Sequence, residues 1–582
     1  VIIPPLKSLD EPDHLRRAYL LGNGQWMVNS QPCGEDGPGC RNGRTMSGGM
    51  VDRGLATYLG IRDAQNGALY TVTKSVEREA RAIRWAGDET FVIAPGAAYY
   101  FPLTYTPQAI GLKLGKFLDL SVHRTYYLAR AVSLVCTVLV LLLAFSIFRP
   151  AATTIALLLI PMSLFQAVST SLDPFSSALA VLGLSCFQRV MQLRTKSPRL
   201  LFVLMTLAVF LVAVSRAHLA SMVLMLFVAA KESRQRLGWV CACIATGGIL
   251  LWMAIAIPNA VDLRADRVLT TGEVVSQYLE HPGELEAIFY RTLTDHGVHL
   301  GVWTSFLGGF MGVPVPYWVY ACLTALLTMI LLMSITGLSQ LKSEALPRIT
   351  LFAVGASACF LALLAMALTW TDFPAQYIAG IQGRYFLVPM ILMFCAFAEW
   401  KPLSGRRGGI VTGLLVTLFV FGFVSITQQM VEAYYVPWRA QTRPFMTESR
   451  VSPKLSPDSR VEIHFEDAAR NMKSEVTRIG LRMATYMAKF DGEVSLTVHS
   501  RDGRSEVVNV PLKQALDNQY MYVDVPAGAW ETADFQVRTG HGGPSVWEQH
   551  TLEPDGRMSW QSCVILQSAT GDKFITPGCA DE

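Results

Sequence analysis

Near its start the chain reads Leu9-Asp10-Glu11-Pro12-Asp13-His14-Leu15-Arg16-Arg17-Ala18-Tyr19, which places three carboxylates, an imidazole and two guanidiniums within eleven residues. Such a cluster suits acid/base or metal chemistry. A carboxylate at the rim of a low-dielectric region can have its pKa raised and take a proton from an alcohol, while neighbouring cations hold an anionic leaving group. A plainer reading stands beside it: Pro12 opens a helix, Asp10 caps it, and the other charges are solvated. Further along, Asp173, Arg216 and Arg384 are isolated charges beside long apolar runs. A charge there is costly enough to suggest a cavity, although turn exposure, or for Arg384 snorkelling beside Tyr385, accounts for each as well. Tyr99, Tyr100, Phe101 and Tyr105 could stack on sugar rings, and an interfacial aromatic belt explains them equally.

The elements that would carry these groups are membrane spans. Of 582 residues, 51% are hydrophobic and only 16% charged, against roughly 25% charged in a soluble domain; the mean hydropathy is +0.34. A net charge of +4 from 49 basic and 45 acidic residues is too balanced for a nucleic-acid binder. A bilayer core of about 30 Å needs roughly 20 apolar residues in a helix. Runs approaching that length are Tyr127–Phe148, Ala151–Val168, Phe175–Met191, Leu200–Val214, Leu219–Ala230, Leu237–Ile257, Trp318–Ile335, Ile349–Trp370, Tyr385–Ala398 and Ile410–Ile426. Before them, Val1-Ile2-Ile3-Pro4-Pro5 is an apolar stub, with a further span expected upstream.

Lysine and arginine near span ends favour the cytoplasm. Arg149, Arg194/Lys196/Arg199, Lys231/Arg234/Arg236, Lys342/Arg348 and Lys401/Arg406/Arg407 fall in alternate connectors. The opposite side then receives residues 6–108, the turns near Asp173 and Arg216, residues 258–300, the loop 371–384 and everything after Tyr435. Cysteine usage tests this independently, because disulfides belong to oxidising compartments. Seven of 11 cysteines lie in apolar runs; Cys33, Cys40, Cys563 and Cys579 form two local pairs, both on the outer side. A zinc site is the rival, but neither pair has a histidine or further cysteine at ligand spacing.

The expected organisation is residues 1–126 as stub plus large external loop, 127–438 as a multi-helix membrane domain, and 439–582 as an external all-β sandwich. The fold class is therefore mainly α and polytopic, with a β domain attached. Within the loop, Ala109–Phe117 is an amphipathic stretch suited to the membrane surface. In the last region Val494–His499 alternates with period two, Arg501–Arg504 signals a hairpin, and Val507–Leu512, Tyr520–Val525, Phe535–Arg538, Val546–Gln549 and Cys563–Gln567 continue the series. No Walker-type glycine loop or dinucleotide fingerprint occurs in a strand-to-helix setting, which argues against a nucleotide-driven pump.

Asp10-Glu11-Pro12 with His14, Arg17, Ala18 and Tyr19 resembles the D-E-P-x-H-x-x-R-A-Y signature of a bacterial multi-pass family catalogued as a domain of unknown function. The resemblance continues through Tyr99–Gln108, similar to its Y-x-P-x-x-Y-x-P-Q element, through Ser171-Leu172-Asp173 and His281-Pro282, and through Gln382-Gly383-Arg384-Tyr385-Phe386 with Pro389, similar to Q-G-R-Y-F-x-x-P. It spans about residues 4–430. The chain departs from that pattern at Asp13, where the family has a small residue, and at Ser215-Arg216-Ala217-His218, where a lysine-containing turn is expected.

That family is similar in layout to the GT-C membrane glycosyltransferases, which take sugars from polyprenyl-phosphate carriers outside the cytoplasm. The resemblance implies Asp10 or Glu11 as the base activating an acceptor hydroxyl in an inverting displacement. It implies donor contacts from Arg384, with Arg17, His14 or Arg216, and Asp173 and Tyr385 lining the same substrate site. No cofactor is required; a divalent Mg or Mn ion on Asp10, Glu11 and Asp13 is the optional addition. The implied partners are the lipid-phosphate sugar, a glycan or glycolipid acceptor, the bilayer and other envelope-biosynthesis proteins, with no nucleic acid, at a bacterial inner membrane. The β region resembles jelly-roll carbohydrate-binding modules through its strand count and Asp517-Asn518 before Tyr520; Trp530, Trp547 and Trp560 are platform or core residues. Two competitors remain: a transporter or flippase of lipid-linked glycan, which predicts polar residues mid-span and related halves, and a non-catalytic assembly protein, which predicts that Asp10 and Glu11 are replaceable.

Overall fold

In a computed structural model of the protein, the residues described are 3–8, 10–32, 45–63, 74–94, 97, 99–259, 269–308, 315–371, 373–435, 449–452, 455, 460–464, 474–485, 490–500, 502–538, 543–552, 558–576 and 579. Among them, five helices are long and apolar enough to cross a membrane: Val122–Ile147, Arg236–Ala256, Tyr317–Ser334, Ala345–Thr369 and Gly405–Glu432. They coincide with five of the ten expected runs.

Of the other five runs, three are interrupted and two are continuous helices. Ala151–Val168 is not one span but two short helices, Ala152–Leu159 and Pro161–Ala167, joined at an extended Ile160. Pro161 has no N–H to give and disfavours helical geometry in the residue before it. Leu219–Ala230 becomes a 3-10 turn, Ala217–Met222, followed by Val223–Ser233. Tyr385–Ala398 likewise begins as the 3-10 turn Gly383–Phe386 before Leu387–Phe397. Leu200–Val214 is the helix Arg199–Ser215. Phe175–Met191 lies within Asp173–Leu193, a helix buried almost all round, including Leu184, Phe187 and Val190. Apolar residues on every face are what a central helix requires.

The expected external loop is a folded element. Asn29–Pro32, Thr45–Asp52 and Glu89–Ile93 form a three-stranded antiparallel sheet, accompanied by the helices Glu11–Gly22, Arg53–Asp63 and Lys74–Ala82. Its core joins Leu15, Leu20, Val51, Leu55 and Tyr58 to Tyr126 and Ala129 of the Val122–Ile147 helix. The amphipathic stretch is the helix Thr106–Phe117. It packs on Val122–Ile147 through Gly111 and Gly115, where an added Cβ would come within 2.5 Å of Ala129 Cα and 2.4 Å of Thr125 Cγ2. Small residues four apart let two helix backbones approach this closely.

The chain divides into two compact units: Val1–Ala265, His296–Ala365 and Ile381–Ala440 form the first, and Asp266–Asp295, Met366–Gly380 and Gln441–Glu582 the second. The second unit thus takes in Asp266–Asp295 and Met366–Gly380 together with Gln441–Glu582. Within the second unit, one sheet has the order Arg460–His464, Trp530–Arg538, Glu493–Ser500, Ser505–Pro511. The other runs Met558–Ser562, Ser545–Leu552, Val476–Ala484, Val564–Ser568, Lys573–Ile575, with Ser449–Val451 and Tyr520–Gly528 paired off that path. All pairings are antiparallel. Inward residues such as Leu481, Val494, Leu496, Val523 and Phe535 make one core. Trp530 belongs to that core and is fully buried, Trp547 is half-buried, and the Trp560 side chain lies outside the described residues. Cys563 and Cys579 are disulfide-bonded with Cα atoms 5.6 Å apart, the seven cysteines of the apolar runs are free, and Cys33 and Cys40 lie outside the described residues.

Candidate active site

Four charged side chains from four distant segments converge in the first unit. Asp10 precedes the helix Glu11–Gly22 in a left-handed conformation (φ 57°, ψ 11°) and makes no side-chain cap. The expected capping role is thus replaced: its carboxylate pairs with Arg384. Asp and Asn tolerate this backbone region better than other non-glycine residues, so the strain is modest. Arg384 sits on the Gly383–Phe386 turn. Gly383 presses so closely on the helix His296–Leu307 that an added Cβ would lie 2.1 Å from Phe306 N, and its N–H donates to Ser305 Oγ at 2.8 Å.

Arg384 also donates to Asp173 Oδ2 at 3.2 Å. Asp173 stands in the first turn of the helix Asp173–Leu193, where the helix dipole favours a carboxylate. Its other oxygen takes Arg216, which follows the end of Arg199–Ser215 and donates to the Tyr100 hydroxyl at 2.7 Å. Gln166 Nε2 reaches Asp173 Oδ2 at 3.3 Å. Two carboxylates and two guanidiniums make a charge-balanced chain, which is what allows buried ions to persist. Exposure is uneven: the Asp10 side chain keeps 47% of its surface and the Arg384 side chain 1%. The accessible end of the network is therefore a carboxylate lying on a buried cation. Burial raises the Asp10 pKa, but the charges of Arg384 and Arg216 and the hydrogen bond from Arg384 outweigh it, leaving the carboxyl below its usual range.

His14 joins the same cluster. Its Nδ1 lies 2.7 Å from the Tyr105 hydroxyl, its ring stacks 5.8 Å from Tyr100, and its buried Nε2 has no hydrogen-bond partner among the described residues. Desolvation, with Arg216 and Arg384 adding to it, pushes its pKa down to about 3, so it is neutral at neutral pH. Tyr385 flanks the site, its ring 5.4 Å from the Arg384 guanidinium and 6.2 Å from the His218 ring.

Three expected site residues have partners of their own. Glu11 is wholly buried, with Oε1 accepting from the Tyr126 hydroxyl (2.9 Å), Thr170 N (2.8 Å) and Thr170 Oγ1 (3.1 Å), and Oε2 from Ser8 N (3.3 Å). With those acceptor positions filled, it ties the Glu11–Gly22 helix to the segment leading into Asp173. Arg17 is buried against the carbonyls of Gln25 and Trp26 and does not reach the cluster. Asp13 pairs with Arg16 at 2.8 Å. Asp10, Glu11 and Asp13 thus face three different partners and do not converge as metal ligands, and no group of three metal-ligating side chains occurs among the described residues. The sequence reading missed Tyr126, Thr170, Gln166 and Gln108, whose Nε2 donates to Ser171 O at 3.0 Å. Gln108 stands in the quoted Y-x-P-x-x-Y-x-P-Q element, the only signal available for any of them.

Residues 1–394 match the model of a family described as predicted membrane protein (DUF2142). That span contains all four clustered charges. No curated protein matches the chain.

Proposed function

Because the chain belongs to this predicted membrane protein family (DUF2142), we propose that its charged cluster is the active centre of an inverting membrane glycosyltransferase. The donor is a polyprenyl-phosphate sugar, and the acceptor is a hydroxyl of an envelope polysaccharide or glycolipid on the external face of a bacterial inner membrane. One observation carries the reading: a half-exposed carboxylate, Asp10, resting on a buried guanidinium, Arg384, that is held from behind by Asp173.

An arriving phosphate competes with Asp10 for Arg384. Once the guanidinium turns to the phosphate, Asp10 loses the positive neighbour that keeps its pKa low and becomes the stronger base. Asp10 then takes the proton of the acceptor hydroxyl as its oxygen attacks the anomeric carbon. The bond from that carbon to the phosphate oxygen breaks, its electron pair leaves with the lipid phosphate, and Arg384 holds the charge that develops there. Arg216 and Asp173 keep Arg384 in register, while neutral His14 packs behind them without adding charge.

The test is transfer of labelled sugar from a polyprenyl-phosphate donor by purified protein in nanodiscs. Asp10→Asn is expected to lower transfer by roughly 10²-fold or more, and Arg384→Lys to lower it strongly through loss of the planar two-handed geometry. Full transfer by Asp10→Asn overturns the reading. Absence of transfer by the wild type, together with movement of lipid-linked glycan between leaflets, would establish a flippase instead.

A further inference from the structure

A second group of cations stands away from the Asp10–Arg384 network. The helix Lys74–Ala82 and the segment after it bring Arg81 and Arg84 opposite the start of the Val122–Ile147 helix, where Ser121, His123, Arg124 and Tyr127 close the other wall. Between them lies a cavity of about 540 Å³. Three guanidiniums and an imidazole line it. Among the described residues, the carboxylate paired with this lining is Glu77, 2.9 Å from Arg81 Nε and 3.6 Å from His123 Nε2, one acidic group against three guanidiniums and an imidazole. Arg84 donates to the Asp119 carbonyl at 3.3 Å, which fixes it without neutralising it. Arg124 is exposed, and its guanidinium makes no hydrogen bond to a described residue.

The cavity sits at the start of a helix long and apolar enough to cross a membrane, and the ends of such a helix are where lipid headgroups are met. The neighbouring helix Thr106–Phe117 buries its glycine face but leaves Ile110, Leu114, Phe117 and the following Leu118 exposed, Phe117 at 85%. These residues share one face at helical spacing. Apolar residues beside a basic hollow are the two halves of an amphiphile's binding site: hydrocarbon along the helix, anionic head in the hollow. We propose that this cavity binds the phosphate of an anionic glycerophospholipid headgroup. The site is separate from the proposed catalytic one. None of its residues takes part in that network, so it stands or falls independently of the transferase reading.

The experiment uses the whole protein in detergent micelles, titrated with phosphatidylglycerol, phosphatidylcholine or inorganic phosphate, with retained lipid counted by native mass spectrometry and stability followed by thermal shift. Phosphatidylglycerol is expected to bind and stabilise, with phosphatidylcholine and inorganic phosphate much weaker. Arg124→Gln should weaken phosphatidylglycerol binding about fivefold and Arg84→Gln/Arg124→Gln about 25-fold, while Arg84→Lys/Arg124→Lys retains most of it. Equal binding of the two lipids, unchanged affinity in Arg124→Gln, or an equal response to inorganic phosphate would overturn the proposal, the last by assigning the cavity to a soluble anion. Arg124→Gln alters one exposed side chain, so the test survives if the double glutamine variant fails to fold.

Discussion

Asp10 and Glu11 are chain neighbours with the same functional group and opposite surroundings. Asp10 meets solvent and one cation; Glu11 meets four protein donors and no solvent. Their substitutions should therefore fail differently. Asp10→Asn is expected to leave the thermal midpoint close to wild type and lower transfer by roughly 10²-fold or more. Glu11→Gln should turn an amide N–H₂ toward groups that are themselves donors, costing about 1–3 kcal/mol, seen as a lowered midpoint at whatever activity remains. His14 gives a pH prediction. The unfolded chain takes up this proton near pH 6.5, whereas the folded protein does not until about 3. Stability must then fall as pH drops through that window. His14→Gln, which can still bond Tyr105, should flatten the loss between pH 6.5 and 3, as read by thermal unfolding at stepped pH; an unchanged profile would mean the buried imidazole is not what senses acid.

At the scale of elements, the charges are delivered by interrupted helices more than by continuous ones. Arg384 arrives on a 3-10 turn, Arg216 on a break between two short helices, and Asp173 on the start of a buried helix beyond the Ile160–Pro161 interruption. Gly383 illustrates the tolerance required, since any side chain there must displace the turn from Phe306. Gly383→Ala is expected to lower transfer on the order of tenfold to a hundredfold by misplacing Arg384, with only a small drop in expression. A comparable effect reaches the scaffold at Gly111 and Gly115. Gly115→Leu should separate Thr106–Phe117 from Val122–Ile147 and lower the thermal midpoint, whereas Ile110→Leu on the exposed face should not.

For the whole molecule, the second unit carries its own core and the Cys563–Cys579 bond. A closure of 16 residues constrains the unfolded chain by about 3 kcal/mol. Cys563→Ser/Cys579→Ser should therefore lower the unfolding midpoint of that unit, and reductant should do the same to the wild type. The membrane class was written in the apolar runs, because bilayer thickness imposes a length that composition alone reveals. Alternation exposed the hairpin Glu493–Ser500 with Ser505–Pro511 for a similar reason, since a half-buried strand must switch face at every residue. Proximity in sequence paired Cys563 with Cys579, 16 residues apart. What stayed hidden was every relationship between distant segments. Glu11 reads like Asp10 until Tyr126 and Thr170 are seen closing on it from 115 and 159 residues away. Arg17 reads like Arg384 until its carbonyl partners appear, and the sheet of Asn29–Pro32, Thr45–Asp52 and Glu89–Ile93 is invisible because its strands are short and far apart in sequence. Local chemistry and periodicity are properties of neighbours along the chain, and the sequence determines them directly. Which carboxylate meets solvent, and which cation stands behind it, is settled by packing between segments hundreds of residues apart.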